Sequence, residues 1–142
     1  MSLRVDFHTQ VQDKILYACR LSRKVRAAQH QIVLLIQDQA QGQMLDEALW
    51  SFSATDFLPH VFANDDLAPQ TPIILTQSLA LDLPHKEILI NLSQNTPAQA
   101  QDFQRVIEII SMEENDAQLG RERYRQYQRQ GHTVTHTNVG AS

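Results

Sequence analysis

Between Gly120 and Gly131 the chain reads GRERYRQYQRQG, and four of its twelve Lys and Arg residues and two of its three tyrosines fall inside that run. The formal net charge is -4, so this is a basic, aromatic island in an acidic chain. Arg, Glu and Gln lose little rotamer freedom in a helix, and Gly131 stands where a left-handed cap would end one. Helical spacing then places Arg121, Tyr124, Arg125 and Gln128 on one face. A flat ring flanked by guanidinium groups suits a carboxylate beside an apolar side chain, because Arg grips the acid by a two-pronged fork while Tyr packs the rest. That chemistry is a receptor for a peptide tail or a phosphate. Charged helix faces are ordinary, and composition alone is also served by a solvated C-terminal helix with Tyr127 packed inward.

Other chemistry is hard to assemble from this sequence. The chain has four glycines and none of the glycine-rich patterns that let backbone amides cradle phosphate. After the IVLLI run the turn is QDQAQGQ, with one glycine. The six histidines, at 8, 30, 60, 85, 132 and 136, show no ligand spacing with cysteine, and no metal site is expected. Asp46 and Glu47 are neighbours on a helix and point apart, which is poor geometry for acid and base work. No Gly-flanked serine or activated cysteine is present, so no catalytic residue and no cofactor are expected.

A length of 142 residues suits one domain spanning 1–142. Its apolar fraction of 42% and charged fraction of 20% are those of a folded protein with one core. Cys19 has no partner for an internal disulfide and sits among Ile15, Leu16 and Leu21, which reads as a small core residue. The opening MSLRVDFHT holds no long apolar run, so the expected compartment is the cytoplasm, with no membrane contact. An acidic balance argues against bulk grip on nucleic acid. A basic first helix bearing Arg20, Arg23, Lys24 and Arg26 keeps a local DNA-binding surface as a lesser reading.

The elements that would position the basic run read in order as an α/β chain. Arg4 to Phe7 reads as a strand, Thr9 is placed to cap the next element, and an amphipathic helix runs from Val11. Gln31 to Gln37 contains IVLLI, a strand buried on both faces of a parallel sheet, and a second helix spans Asp38 to Trp50. Residues 51 to 70 are too punctuated for a long element but gather Phe52, Phe57 and Phe62 after Trp50 as an aromatic cluster. Pro72 to Thr76, Ile88 to Ser93 and Arg105 to Ser111 read as further strands, with a short capped helix from Thr96 to Phe103. Met112 to Asp116 is acidic and opens the C-terminal helix, and HTVTHT after Gly131 reads as an edge strand. The sum is a mostly parallel sheet with helices on both faces, like mononucleotide-binding folds but without a phosphate loop.

LDEALW at 45 to 50, FLPH at 57 to 60, ILINLS at 88 to 93 and RERYRQY at 121 to 127, taken together in this order, resemble the chi subunit of bacterial DNA polymerase III. The resemblance implies a non-catalytic accessory subunit associated with the clamp loader complex. It further implies two partners, a psi-type subunit and the acidic C-terminal tail of single-stranded DNA-binding protein. Carried onto this sequence, the tail would meet Arg121 and Tyr124 with Ile110 as an apolar neighbour, and the psi-type subunit would meet Trp50 and Phe57, with Leu49 beside them. Where the family often has a lysine four residues before its first helix arginine, this chain has Ala117, which leaves Arg125 as the substitute cation. A nucleotide-binding or small hydrolytic enzyme of the same fold class stands as the alternative.

Overall fold

A computed structural model of the chain describes residues 3–52, 58–80 and 82–141. Seven strands form one sheet: β1 (Arg4–Val11), β2 (Ile32–Leu35), β3 (His60–Phe62), β4 (Ile73–Thr76), β5 (Ile88–Asn91), β6 (Arg105–Ser111) and β7 (Thr133–Asn138). Their order is β3-β4-β2-β5-β6-β1-β7, and every pair runs parallel. Parallel strands need crossovers and so bury both faces, which is why β2, β4 and β5 are buried at every position.

Helices α1 (Lys14–Ala27) and α2 (Gln39–Ser51) cover one face, where Ala18, Cys19, Val25, Leu45 and Leu49 pack on Ile32, Leu34, Ile73, Ile90, Ile107 and Ile109. The opposite face holds Val5, Phe7, Val33, Ile74, Leu89, Val106 and Ile110 under Tyr127 of α3 (Glu114–Arg129). Alternation in β6 thus sends Val106, Glu108 and Ile110 towards α3 and Ile107 and Ile109 towards α1. Cys19 is fully buried, and burial pushes its thiol up to about 11, which makes it an inert core residue.

Three details depart from the sequence expectations. β1 runs on to Val11, so Thr9 lies within the strand, and the cap of α1 is Asp13, whose carboxylate accepts from the Leu16 N–H at 3.0 Å. The chain from Thr96 to Phe103 forms only a 3-10 turn over Ala100–Asp102, with Pro97, Ala100 and Phe103 as the residues of this polar stretch that turn inward. Within the punctuated region, His60–Phe62 adds a short strand at the far edge of the sheet.

At the other end of α3, Gly131 adopts φ 83° and donates to the Gln128 carbonyl, while the His132 N–H reaches the Tyr127 carbonyl at 3.2 Å. This paired closure satisfies the last carbonyls of the helix and turns the chain straight into β7, which hydrogen-bonds β1 at the sheet edge. No atom stands within 4 Å of a Cβ placed on Gly131, so backbone strain alone opposes a side chain there. Gly131→Ala is expected to lower stability by about 1 to 2 kcal/mol with the fold intact, measured by urea unfolding.

Candidate functional site

The carboxyl ends of β6, β1 and β7 meet the second turn of α3 around a cavity of about 310 Å³. Phe7, Thr9 and Gln10 come from β1, Ile110 and Ser111 from β6, and His136 and Asn138 from β7. Helix α3 supplies Ala117, Gly120, Arg121 and Tyr124. In open α/β sheets this end of the strands is where ligands are met.

The walls are mostly apolar and well fixed. The Tyr124 ring stands edge-on to Phe7 at 5.1 Å between centroids and faces His136 at 6.4 Å. A Cβ on Gly120 would fall 2.8 Å from Ile110 Cδ1, so glycine is what lets α3 lie directly on Ile110. Thr9 Oγ1 and His136 Nε2 hydrogen-bond at 2.6 Å across the rim. Among the described residues, Arg121 is the one Lys, Arg, Asp or Glu lining the cavity. It is exposed and has no hydrogen-bond or ion-pair partner among the described residues.

Of the residues singled out in the sequence, the fold brings Ile110, Arg121 and Tyr124 into this one cavity. Arg125 is exposed on the outer face of α3 and does not line it. Ala117 forms part of the wall and packs against the core beneath Tyr124, so the missing basic residue leaves an apolar surface in its place.

What rotates α3 into this pose is a buried polar cluster that periodicity did not reveal. Asp116, Gly120, Arg123 and Tyr127 form the inward face of the helix. Arg123 is only 2% exposed, and its Nε donates to the fully buried Glu108 at 3.1 Å while Nη1 donates to the Gln94 carbonyl at 3.0 Å. Asn91 Nδ2 and the Tyr127 hydroxyl also donate to Glu108, at 3.0 and 3.2 Å. Burial lifts the Glu108 carboxyl above the usual range against the pull of Arg123, Asn91 and Tyr127. At the amino end, Asp116 accepts from the Ser111 N–H at 2.7 Å and pairs with Lys14 at 2.9 Å. Burial works against that carboxyl, yet the Ser111 bond and the Lys14 ammonium hold it below the usual range.

A second concave region of about 420 Å³ opens where β2, β5 and β6 end, the place a nucleotide would take in a related fold. Asp13, Glu113 and Asp116 line it, and its one cation, Lys14, is already engaged by Asp116 and by the Leu92 carbonyl at 2.8 Å. Such a lining repels phosphate. No three His, Cys, Asp or Glu side chains among the described residues stand together as a metal ligand set.

The aromatic surface lies at the opposite edge of the sheet. Trp50 is 53% exposed, its ring 4.4 Å from that of His60. His60 is buried and fixed by the Leu58 carbonyl at 2.7 Å and the Asp46 carboxylate at 2.9 Å. Leu49, placed with Trp50 on the sequence, is 2% exposed and belongs to the core, because the helix turns it towards the sheet. Phe57 lies outside the described residues.

Comparison with known proteins decides the lineage. Residues 1–135 match the model of the family described as DNA polymerase III chi subunit, HolC. The chain belongs to this family. A chi subunit of DNA polymerase III from Pseudomonas aeruginosa is 34% identical over 138 residues, covering 92% of this chain and 93% of the relative. The chi subunits of Haemophilus influenzae and Escherichia coli are each 28% identical, over 87% and 77% of this chain and 85% and 74% of their own lengths. As a chi-family chain it is a member of a group of DNA polymerase III subunits that serve DNA replication. No helix among the described residues is long and apolar enough to cross a membrane.

Removing the cation behind the site exposes its electrostatics to measurement. Arg123→Met leaves Glu108 buried without its counter-charge and is expected to cost about 3 to 5 kcal/mol near neutral pH. A carboxyl whose folded pKa lies above its unfolded one binds its proton more tightly when folded, so stability is greatest below the unfolded value and falls as pH rises through the folded one. The loss in Arg123→Met should therefore be larger at about pH 8 than at about pH 5 in urea unfolding. An equal loss at both would mean that Glu108 does not change its ionisation between them.

Proposed function

We propose that this chi-family chain is a non-catalytic, clamp loader-associated accessory subunit that joins two protein partners at opposite edges of its sheet. At one edge the cavity of Arg121, Tyr124 and Ile110 receives the acidic C-terminal tail of single-stranded DNA-binding protein. The Arg121 guanidinium pairs with the terminal carboxylate, and the last apolar side chain packs between Tyr124, Phe7 and Ile110. At the other edge Trp50 meets a psi-type subunit, with Leu49 supporting the surface from beneath. Arg125, one turn beyond Arg121 on the exposed face of α3, adds positive charge to this edge as an acidic tail approaches. This reading brings the replication machinery to coated template without a reaction of its own.

The single observation that carries it is a guanidinium that, among the described residues, is unpaired and is the only charged group lining an apolar-walled cavity. A carboxylate next to an apolar group satisfies both halves of that lining at once, and a two-pronged Arg contact in a partly desolvated place is among the stronger polar contacts. A nucleotide-binding reading has no such observation in its favour, since the corresponding cleft is lined by three carboxylates.

Calorimetry with a synthetic peptide of the tail tests the first partner. Arg121→Ala is expected to weaken binding by about 2 kcal/mol, roughly thirtyfold, with Tyr124→Ala comparable. Unchanged affinity in both variants would remove the cavity from tail binding. For the second partner, Trp50→Ala should abolish co-elution with a psi-type subunit on size exclusion while leaving peptide affinity unaltered. Retained co-elution would take Trp50 out of that interface.

A further inference from the structure

The wall of the Arg121 cavity nearest α1 is thin. Gln10, Ser111 and Asn138 line the cavity on one side. On the other side Gln10 again, with Met112, Val139 and Gly140, lines a second concavity of about 470 Å³ at the amino end of α1. The same three chain segments therefore form a ridge with a hollow on each flank. Its crest is Gln10, held at φ 61°, where the register of β1 against β6 shifts between His8 and Val11.

The far hollow has its own chemistry. Leu16 is 38% exposed and Met112 53% exposed, an apolar pair of a kind soluble chains usually cover. Arg20 also lines it, and Lys24 stands one turn further along α1. Neither has a hydrogen-bond or ion-pair partner among the described residues. From Lys14 to Gln37 the chain holds five cations and no Asp or Glu. The one carboxylate in the hollow, Asp13, is occupied in capping α1.

We propose that an acidic peptide anchored by its end at Arg121 crosses the Gln10 ridge and continues into this second hollow, with an apolar side chain on Leu16 and Met112 and carboxylates at Arg20 and Lys24. The inference rests on the tail-binding reading above and extends it to the residues upstream of the terminus. The alternative exits fit an acidic chain less well. β7 carries no Lys or Arg. Along α3, Glu122 lies three residues before Arg125 and seven before Arg129, on the same face, and partly cancels them. Charge and concavity coincide on the α1 side.

Two synthetic peptides with the same apolar C-terminal end separate the two ideas, one of about three residues and one of about nine with Asp upstream, the latter spanning about 30 Å when extended. Titrated against the whole chain, Arg20→Ala/Lys24→Ala should weaken the long peptide about fivefold at low salt and flatten its salt dependence, leaving the short one unchanged. Met112→Ser should likewise weaken only the long peptide. These side chains are exposed, so the fold is not at risk. If the long peptide binds all of these variants as tightly as the unaltered chain while Arg121→Ala still loses it, the second hollow is no subsite and the tail cavity stands. If the unaltered chain binds neither peptide, the tail reading fails and this inference falls with it.

Discussion

A carboxylate in the middle of a strand covered on both faces has to be answered, and Glu108 is answered by Arg123. Without a cation beside it, an ionised Glu108 would cost several kcal/mol, and without the acid an ionised Arg123 would cost as much. Their pairing, with Asn91, Tyr127 and the Gln94 carbonyl completing the set, fixes how α3 is rotated about its own axis. Once Arg123 and Tyr127 point at the sheet, Gly120 must pass over Ile110, and Arg121 and Tyr124 are turned to the rim. The cavity is thus set from below by a contact that is not part of its lining. Buried ionic groups are weak evidence for stability, but one that selects a single helix rotation supplies specificity of arrangement.

Much of this was legible in the residues. Branched apolar runs such as IVLLI mark buried parallel strands, and Gly131 marks the end of α3. The grouping of Arg121 with Tyr124 follows from helical spacing alone. Arg123 was hidden because its face of α3, made of Asp116, Gly120, Arg123 and Tyr127, is polar and small and leaves no hydrophobic period to read. A signal did exist in the strand: a lone acid within RVIEIIS has no outward face to occupy in a covered sheet and demands a buried cation elsewhere. Leu49 shows the converse limit, since adjacency to an exposed Trp50 in sequence places a residue about a hundred degrees away around the helix.

At the cleft where related folds hold a nucleotide stand the N-cap residues of two helices and the Lys14 to Asp116 pair, which ties α1 to α3 across the strand ends. The same strand ends, displaced towards β1 and β7, build the Arg121 cavity instead. One end of the sheet thus holds both a structural tie and the cavity, which meet at Ser111 of β6.

Charge is distributed unevenly along the chain: Ala27 to His85 contains seven acids and no Lys or Arg, while the remaining residues hold all twelve cations against nine acids. Folding carries much of that acidic stretch to the β3 edge and sets α3 by β7, six strand spacings away, or about 29 Å. The molecule is therefore an electric dipole as well as a scaffold. In the field of a negatively charged assembly it experiences a torque that presents its arginine-bearing edge first, so productive encounters are enriched before any contact forms, and added salt slows arrival more than it loosens what has already docked.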